Sequence, residues 1–271
     1  MDTFTRGSMS FRVRDAGPAD GTVVVLLHGF PETSRAWDAV APRLHERGYR
    51  TLAPDLRGYS PGARPRGARH YRLDTMTGDV LALLDAARIE RAHLVGHDWG
   101  GALAWQVTGS RPERLRTLTA VSTPHPAAMA WAVRHSTQAI KSLYMGFFNL
   151  PRLPEYLLRK GIQRDGLRSL GLPEPQRAAY AEALLEPGAL EAALGWYRAI
   201  RTRPLPKAAP PVSVPTTYVW GRHDKYLGRA AAERTARYCD GPYELVELDA
   251  DHWIPEKHPV ELAGHILARI A

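Results

Sequence analysis

The stretch Ala92-His-Leu-Val-Gly96-His-Asp98-Trp-Gly100-Gly-Ala-Leu-Ala-Trp-Gln-Val107 decides how the chain is read. A β-type run, Ala92 to Val95, meets a helix-type run, Gly101 to Val107, across a turn with glycines two residues before and two after Asp98. That is the strand–turn–helix context of a nucleophile elbow. A side chain at either glycine would crowd the strained turn that lifts the apex residue out of the sheet. The apex is aspartate where such elbows commonly hold serine. A carboxylate attacking an ester or amide gives a labile anhydride, whereas displacement at saturated carbon gives an ordinary alkyl ester. The motif therefore points to opening of an epoxide or a carbon–halogen bond, and away from esterase or peptidase chemistry.

A second stretch, Gly58-Tyr-Ser60-Pro-Gly62, matches the serine elbow letter for letter and comes after the strand-like run Tyr49 to Pro54. Its continuation, Pro61-Gly-Ala-Arg-Pro-Arg-Gly67, cannot open a helix. Without a helix there is no elbow and no helix N-terminus to steady an anion, so Ser60 reads as a loop residue.

Outward from the elbow, short β-type runs alternate with helical ones. Ser10–Arg14, Thr22–Leu27, Tyr49–Pro54, Leu115–Val121, Pro215–Trp220 and Tyr243–Leu248 read as strands. Arg35–Glu46 (Ser34 as N-cap), Thr75–Ala87 (Asp74 as cap), Arg229–Cys239 and Pro259–Ile270 read as helices. The alternation predicts a mostly parallel sheet flanked by helices. From Thr123 to Pro211 only helical periodicity recurs, over Ala127–Gly146, Glu155–Gly161, Pro175–Leu185 and Ala189–Arg201, ending in a stiff Pro204–Pro211 connector. The expected organisation is a core of residues 1–123 and 212–271 with a helical cap, residues 124–211, inserted into it. Caps commonly supply the substrate pocket and exclude water.

The 271 residues, 44% apolar, suffice for a full core. The single cysteine, Cys239, permits no internal disulfide and fits a reducing compartment. No apolar leader and no run of about 20 apolar residues is present, so a soluble, cytoplasmic protein with no membrane segment is expected. The net charge of +8 comes from arginine, with only five lysines. Arg57, Arg64, Arg66, Arg69 and Arg72 crowd one Gly/Pro-rich stretch; without a nucleic-acid-binding motif beside them they read as a solvated loop, and no nucleic-acid partner is expected.

An aspartyl ester must be resolved by activated water, which calls for a histidine of near-neutral pKa. Of the 11 histidines, His252 lies in the loop after the last strand, where open α/β sheets gather active-site groups. An orienting acid is expected at Asp224, past the penultimate strand; Asp251, beside His252 in sequence, is poorly placed to accept from its ring. The competing readings are a structural histidine and a turn-forming aspartate. The backbone N–H groups of Phe30, in His28-Gly-Phe-Pro-Glu32, and of Trp99 are candidates for an oxyanion hole, with Pro31 a candidate cis residue and His28 structural.

His28-Gly-Phe-Pro-Glu32, Asp55-Leu-Arg-Gly-Tyr-Ser60, Gly96-His-Asp-Trp-Gly100, Gly221-Arg-His-Asp224 and Asp251-His-Trp253, in that order, resemble the soluble epoxide hydrolases of the α/β-hydrolase fold over essentially the whole chain. The resemblance implies Asp98, Asp224 and His252 as nucleophile, acid and base. It also implies two cap tyrosines that hydrogen-bond the leaving epoxide oxygen, for which Tyr144 and Tyr197 stand in matching positions. Trp37, Phe147, Trp131 and Trp253 are candidate pocket walls. Neighbouring families share the aspartyl nucleophile. Haloalkane dehalogenases typically pair the tryptophan after it with an asparagine or a second tryptophan, but position 30 here is Phe instead of Asn; a fluoroacetate dehalogenase would carry arginine where this chain has Trp99. Asn149 stands where many relatives carry glutamine. The expectation is a vicinal diol made from a small apolar epoxide and water, with no metal and no organic cofactor, by a monomer or homodimer. Haloalkane dehalogenation is the first alternative; a specialised ring-opening biosynthetic hydrolase or a receptor on the same fold is the second.

Overall fold

The computed structural model describes residues 1–202 and 211–271. Its framework is an eight-stranded sheet made of β1 (Thr3–Arg6), β2 (Met9–Ala16), β3 (Val23–Leu27), β4 (Arg50–Pro54), β5 (Ala92–His97), β6 (Leu115–Val121), β7 (Thr216–Gly221) and β8 (Tyr243–Leu248), in the order β1-β2-β4-β3-β5-β6-β7-β8. The first two strands run antiparallel to their neighbours and the other six are mutually parallel. Central β3 and β5 are buried at every residue, as strands covered on both faces must be, and pair with Leu27 opposite Gly96.

Helices α1 (Ala41–His45), α2 (Leu73–Ala86) and α3 (Asp98–Ser110) belong to the first half. Between β6 and β7 come α4 (Pro126–His135), α5 (Gln138–Lys141), α6 (Leu143–Phe148), α7 (Leu153–Asp165), α8 (Glu174–Leu185) and α9 (Ala189–Ala199), with no strand among the described residues of this insertion. The chain closes with α10 (Arg229–Arg234), α11 (Ile254–Lys257) and α12 (Pro259–Ile270). Polar ties hold the insertion on the sheet: Arg64 Nη2 to Glu186 Oε2 at 2.6 Å, the Trp196 indole N–H to Arg57 O at 2.8 Å, and Tyr180 Oη to Glu256 Oε1 at 2.9 Å.

Several sequence expectations are corrected. The Arg35–Glu46 helix is a 3₁₀ turn, Ser34–Trp37, succeeded by α1; Thr33, not Ser34, caps the turn by accepting from Arg35 N–H. Asp74 lies inside the first turn of α2 rather than capping it. The single helix expected over 127–146 is broken into α4, α5 and α6, and β1 has no counterpart among the strands expected from sequence. Arg57 is not solvated. It is buried, donating from Nε and Nη2 to Asp79 at 2.8 and 2.5 Å, since a guanidinium out of water needs a matched carboxylate. The expected connector lies outside the described residues except for Pro211. Among the described residues no helix is long and apolar enough to cross a membrane.

Candidate active site

Asp98 opens α3 directly after β5, with a backbone φ of +50°. The flanking glycines are there because nothing else fits: a Cβ on Gly100 would lie 2.3 Å from Leu27 O, and one on Gly96 2.3 Å from Gly100 O. The tight turn aims the Asp98 side chain away from the sheet and sets it at the positive end of α3. Phe30 N–H donates to Asp98 Oδ1 at 2.9 Å, and the Phe30–Pro31 peptide is cis. Trp99, next along α3, lies in the first turn, where N–H groups have no acceptor within the helix. Ser60, the apex of the look-alike motif, is buried and tied up locally: it accepts from Arg12 N–H at 2.9 Å and donates to Asp55 O at 2.7 Å.

Asp224, after β7, and His252, after β8, meet beside this carboxylate. His252 Nδ1 lies 2.7 Å from Asp224 Oδ2, so the carboxylate holds the proton on that nitrogen and turns Nε2 toward Asp98 Oδ2, 3.6 Å away. Asp224 Oδ1 accepts from Tyr226 N–H at 2.7 Å and Leu227 N–H at 2.9 Å. The turn-forming and base-orienting readings of Asp224 are thus two halves of one side chain. Asp251 points elsewhere, to Trp253 N–H and Lys257 Nζ. Burial alone would favour neutral imidazole at His252, but the Asp224 and Asp98 carboxylates outweigh it and hold the pKa well above that of free histidine. Asp224 is held below the usual carboxylate range: burial opposes its charge, and His252 with the two backbone donors overcomes that.

Tyr144 on α6 and Tyr197 on α9 face the same space, ring centroids 6.0 Å apart. Burial, then the neighbouring tyrosine and Asp98, push the Tyr197 pKa far up; burial and Asp98 do the same to Tyr144. Both remain hydroxyl donors throughout ordinary pH. With Asp98 they form the wall shared by two cavities, one of about 660 Å³ and one of about 150 Å³. The larger runs past Trp99, Met129, Leu143 and Trp196; the smaller past Phe30, Phe148, Leu158, Tyr226, His252 and Trp253.

Of the four expected wall residues, Trp253 lines the smaller cavity and three line neither. Trp37 is buried in the core beneath its 3₁₀ turn. Trp131 stacks on His135 and lies under the Arg234 guanidinium, 4.0 Å from its ring centroid. Phe147 points off the wall; Phe148, one helical turn after Tyr144, takes the place expected of it.

Residues 22–259 match the α/β hydrolase fold family. The chain belongs to that family. Among its relatives this α/β hydrolase is 38% identical to the AB hydrolase superfamily protein YfhM of Bacillus subtilis, over 93% of the chain and 91% of the relative. It is 31% identical to Epoxide hydrolase A of Mycobacterium tuberculosis, over 94% and 92%. A solved structure from work on novel epoxide hydrolases in metagenomes from hot environments superposes with a TM-score of 0.84 at 27% identity, covering 97% of this chain and 95% of the other. The hydrolase thus stands among the epoxide hydrolases of the family.

Three further features of the hydrolase have no signature in its sequence. Gln138 on α5 is buried; its Nε2 donates to Tyr226 O at 2.7 Å and its Oε1 accepts from Gly228 N–H at 2.8 Å, while Lys141 Nζ donates to Asp224 O at 2.7 Å. One short helix of the insertion therefore braces the loop carrying Asp224. Tyr226 stands edge-on to His252, with centroids 4.9 Å apart. Behind the base, His97 Nε2 and Ser122 Oγ both donate to His252 O at 2.9 Å, and His97 Nδ1 pairs with buried Glu32 at 2.7 Å. Burial opposes the Glu32 charge, but His97 overcomes it and holds the carboxyl well below its usual range. His28 is structural as expected, accepting from Leu56 N–H at 3.0 Å.

Proposed function

We propose that the hydrolase opens apolar epoxides to vicinal diols in two steps through an ester on Asp98. The observation that carries this reading is the shared wall: a carboxylate on a nucleophile elbow and two protonated tyrosines that together line both apolar cavities. An epoxide oxygen leaves as alkoxide and needs hydrogen-bond donors, which Tyr144 and Tyr197 supply; a halide needs no such pair.

In the first step Asp98 Oδ2 forms a bond to one ring carbon as that carbon's bond to oxygen breaks; the tyrosine hydroxyls stabilise the charge developing on the oxygen, which ends as a hydroxyl by taking up the proton that His252 gives up. Oδ2 is the attacking atom because Oδ1 is already held by Phe30 N–H, where the ester carbonyl oxygen must sit for the second step. Esterification removes one of the two anions facing His252, so its pKa falls and the imidazole becomes a base. His252 Nε2 then takes a proton from water, hydroxide adds to Asp98 Cγ, and the oxyanion rests on the Phe30 and Trp99 N–H groups. Collapse breaks the Cγ–Oδ2 bond, the proton of the added hydroxyl passes to the departing alkoxide, and diol, carboxylate and protonated His252 result.

Residues 124–211 act in this reading as a cap that carries both tyrosines and keeps water from the ester. The cavity sizes set the substrate shape. A 150 Å³ apolar cavity is about the size that takes benzene, so one carbon of the epoxide bears at most a phenyl-sized group while the other bears a larger one. The test is turnover of small terminal, aryl and bulky disubstituted epoxides, read as diol, beside chloro- and bromoalkanes, read as halide. Diol without halide is the expected result; halide without diol would transfer the reading to a dehalogenase.

A further inference from the structure

Large apolar side chains exposed to solvent are concentrated in one part of the described chain. Apart from Met1 and Val260, all fall between residues 133 and 157. Ile140 and Leu143 are 68% and 70% exposed, and Leu150 stands just past the end of α6. On α7, Leu153, Tyr156 and Leu157 lie at i, i+3 and i+4, one face of the helix, while Leu158 and Ile162 are turned to the smaller cavity. Successive members of the set are never more than seven residues apart along the single stretch that runs from α4 to α7, and α4 with α5 and α5 with α6 are in contact. A band of this kind on a water-soluble surface marks something that covers it.

The charges beside the band say what. Between residues 133 and 169 the exposed charged side chains are Arg134, Arg152, Lys160, Arg164 and Arg168, all cationic. Neither of the two acids in that span is among the exposed residues: Glu155 pairs with Arg198 at 2.6 Å, and half-buried Asp165 accepts from Leu167 N–H at 3.0 Å. Lys160 Nζ sits 4.6 Å over the Tyr156 ring, an arrangement that suits an aromatic at a headgroup boundary with a cation reaching outward. A second copy seated on this face about a two-fold axis would bring like charges together. An anionic lipid surface meets both the apolar side chains and the cations.

The band also borders the large cavity. Val133 and Leu143 line that cavity and are themselves 39% and 70% exposed, so they stand where it reaches solvent. We propose that the α5–α7 face of the insertion is a peripheral docking surface for anionic phospholipid bilayers, placing the mouth of the large cavity against the membrane in which apolar substrates dissolve. This is adsorption onto a surface by side chains, with no helix crossing the bilayer.

Co-sedimentation of the full chain with vesicles tests this without any turnover, so it stands or falls apart from the chemistry at Asp98. Binding to phosphatidylglycerol–phosphatidylcholine vesicles, weak on pure phosphatidylcholine and reduced by salt, is expected. Arg152→Gln/Lys160→Gln should lower the partition coefficient about 25-fold, at about fivefold per cation lost near the surface. Ile140→Asp/Leu157→Asp should abolish binding; both positions are exposed and line neither cavity, so melting temperature and turnover of dissolved substrate should hold. No binding to anionic vesicles, or binding unchanged in the Asp double variant, would overturn the proposal. A concentration-dependent dimer that the same variant dissociates, with no vesicle binding, would assign the face to a second copy instead.

Discussion

Removing the Tyr197 hydroxyl isolates the feature that separates epoxide opening from displacement of a halide. The Tyr197 ring is held at its edges by Phe148, Trp99 and Phe30, with centroids 4.9, 5.0 and 5.3 Å away. Tyr197→Phe keeps those contacts and deletes one oxygen. In the proposed reaction the hydroxyl serves a charge that exists only as the ring opens, so its loss should fall on the rate of ester formation and little on substrate binding. Loss of one preorganised donor to a developing oxyanion costs about 2.7–4 kcal/mol, or about 10²–10³ in rate. The lower end is expected here because Tyr144 remains. Tyr144→Phe should behave alike, and the double variant should form ester no faster than Asp98→Ala forms diol. Stopped-flow tryptophan fluorescence reads the step, since Trp99 stands edge-on to Tyr197. A Tyr197→Phe ester-formation rate equal to wild type would refute the reasoning, and halide release by the double variant would point to a dehalogenase.

His252→Gln should form the ester and fail to hydrolyse it, leaving about one substrate mass per chain on intact-protein mass spectrometry; general-base loss slows the second step about 10²–10⁴-fold. Diol produced with no trapped mass would defeat the covalent route. Gln138→Leu strands Tyr226 O and Gly228 N–H, costing about 1–3 kcal/mol in stability. With the Asp224 loop loosened, the imidazolium is less supported, so the acid limb of hydrolysis should move to lower pH with kcat falling more than KM rises. An unmoved limb would leave Gln138 a structural residue only. Glu32, its folded pKa depressed by His97, contributes stability that is present above the unfolded value of about 4 and lost as pH falls through the folded one. Wild type should therefore lose melting temperature below about pH 4 more steeply than Glu32→Gln, and equal slopes would remove Glu32 from that limb.

The elbow was legible because its constraints are local: Gly96 and Gly100 are dictated by atoms within a few residues or on the adjoining strand. Asp224 and His252 could be placed because strand alternation fixes which loops reach the same edge of the sheet. Of the expected wall aromatics only Trp253 was legible. Phe147 and Phe148 stand three and four residues after Tyr144, both near its helical face, so spacing alone does not choose between them; Phe148 meets Tyr144 and lines the smaller cavity. Trp131 is claimed by Arg234, about 100 residues away, which no local pattern announces. Gln138 is harder still, because its partners are backbone atoms of the acid loop and leave no trace in side-chain identity.

Replacing serine by aspartate at such an elbow changes what the oxyanion hole must do at rest. In a serine elbow the hole waits for a charge that appears during reaction. Here Phe30 N–H already holds Asp98 Oδ1, and the charge is present before substrate arrives. A donor that binds the ground-state carboxylate raises the barrier of the first step. In the proposed route the same donor acts in the second step, where that oxygen carries the negative charge of the tetrahedral intermediate. The first step is then offset from the opposite side by the two tyrosines, whose raised pKa keeps them protonated next to an anion. His252 links the two, charged while both carboxylates face it and basic once one is esterified. In the proposed reaction an aspartyl nucleophile uses donors at both ends, and two parts of the fold carry them: Phe30 follows β3 of the sheet, while Tyr144 and Tyr197 lie on α6 and α9 of the helical insertion.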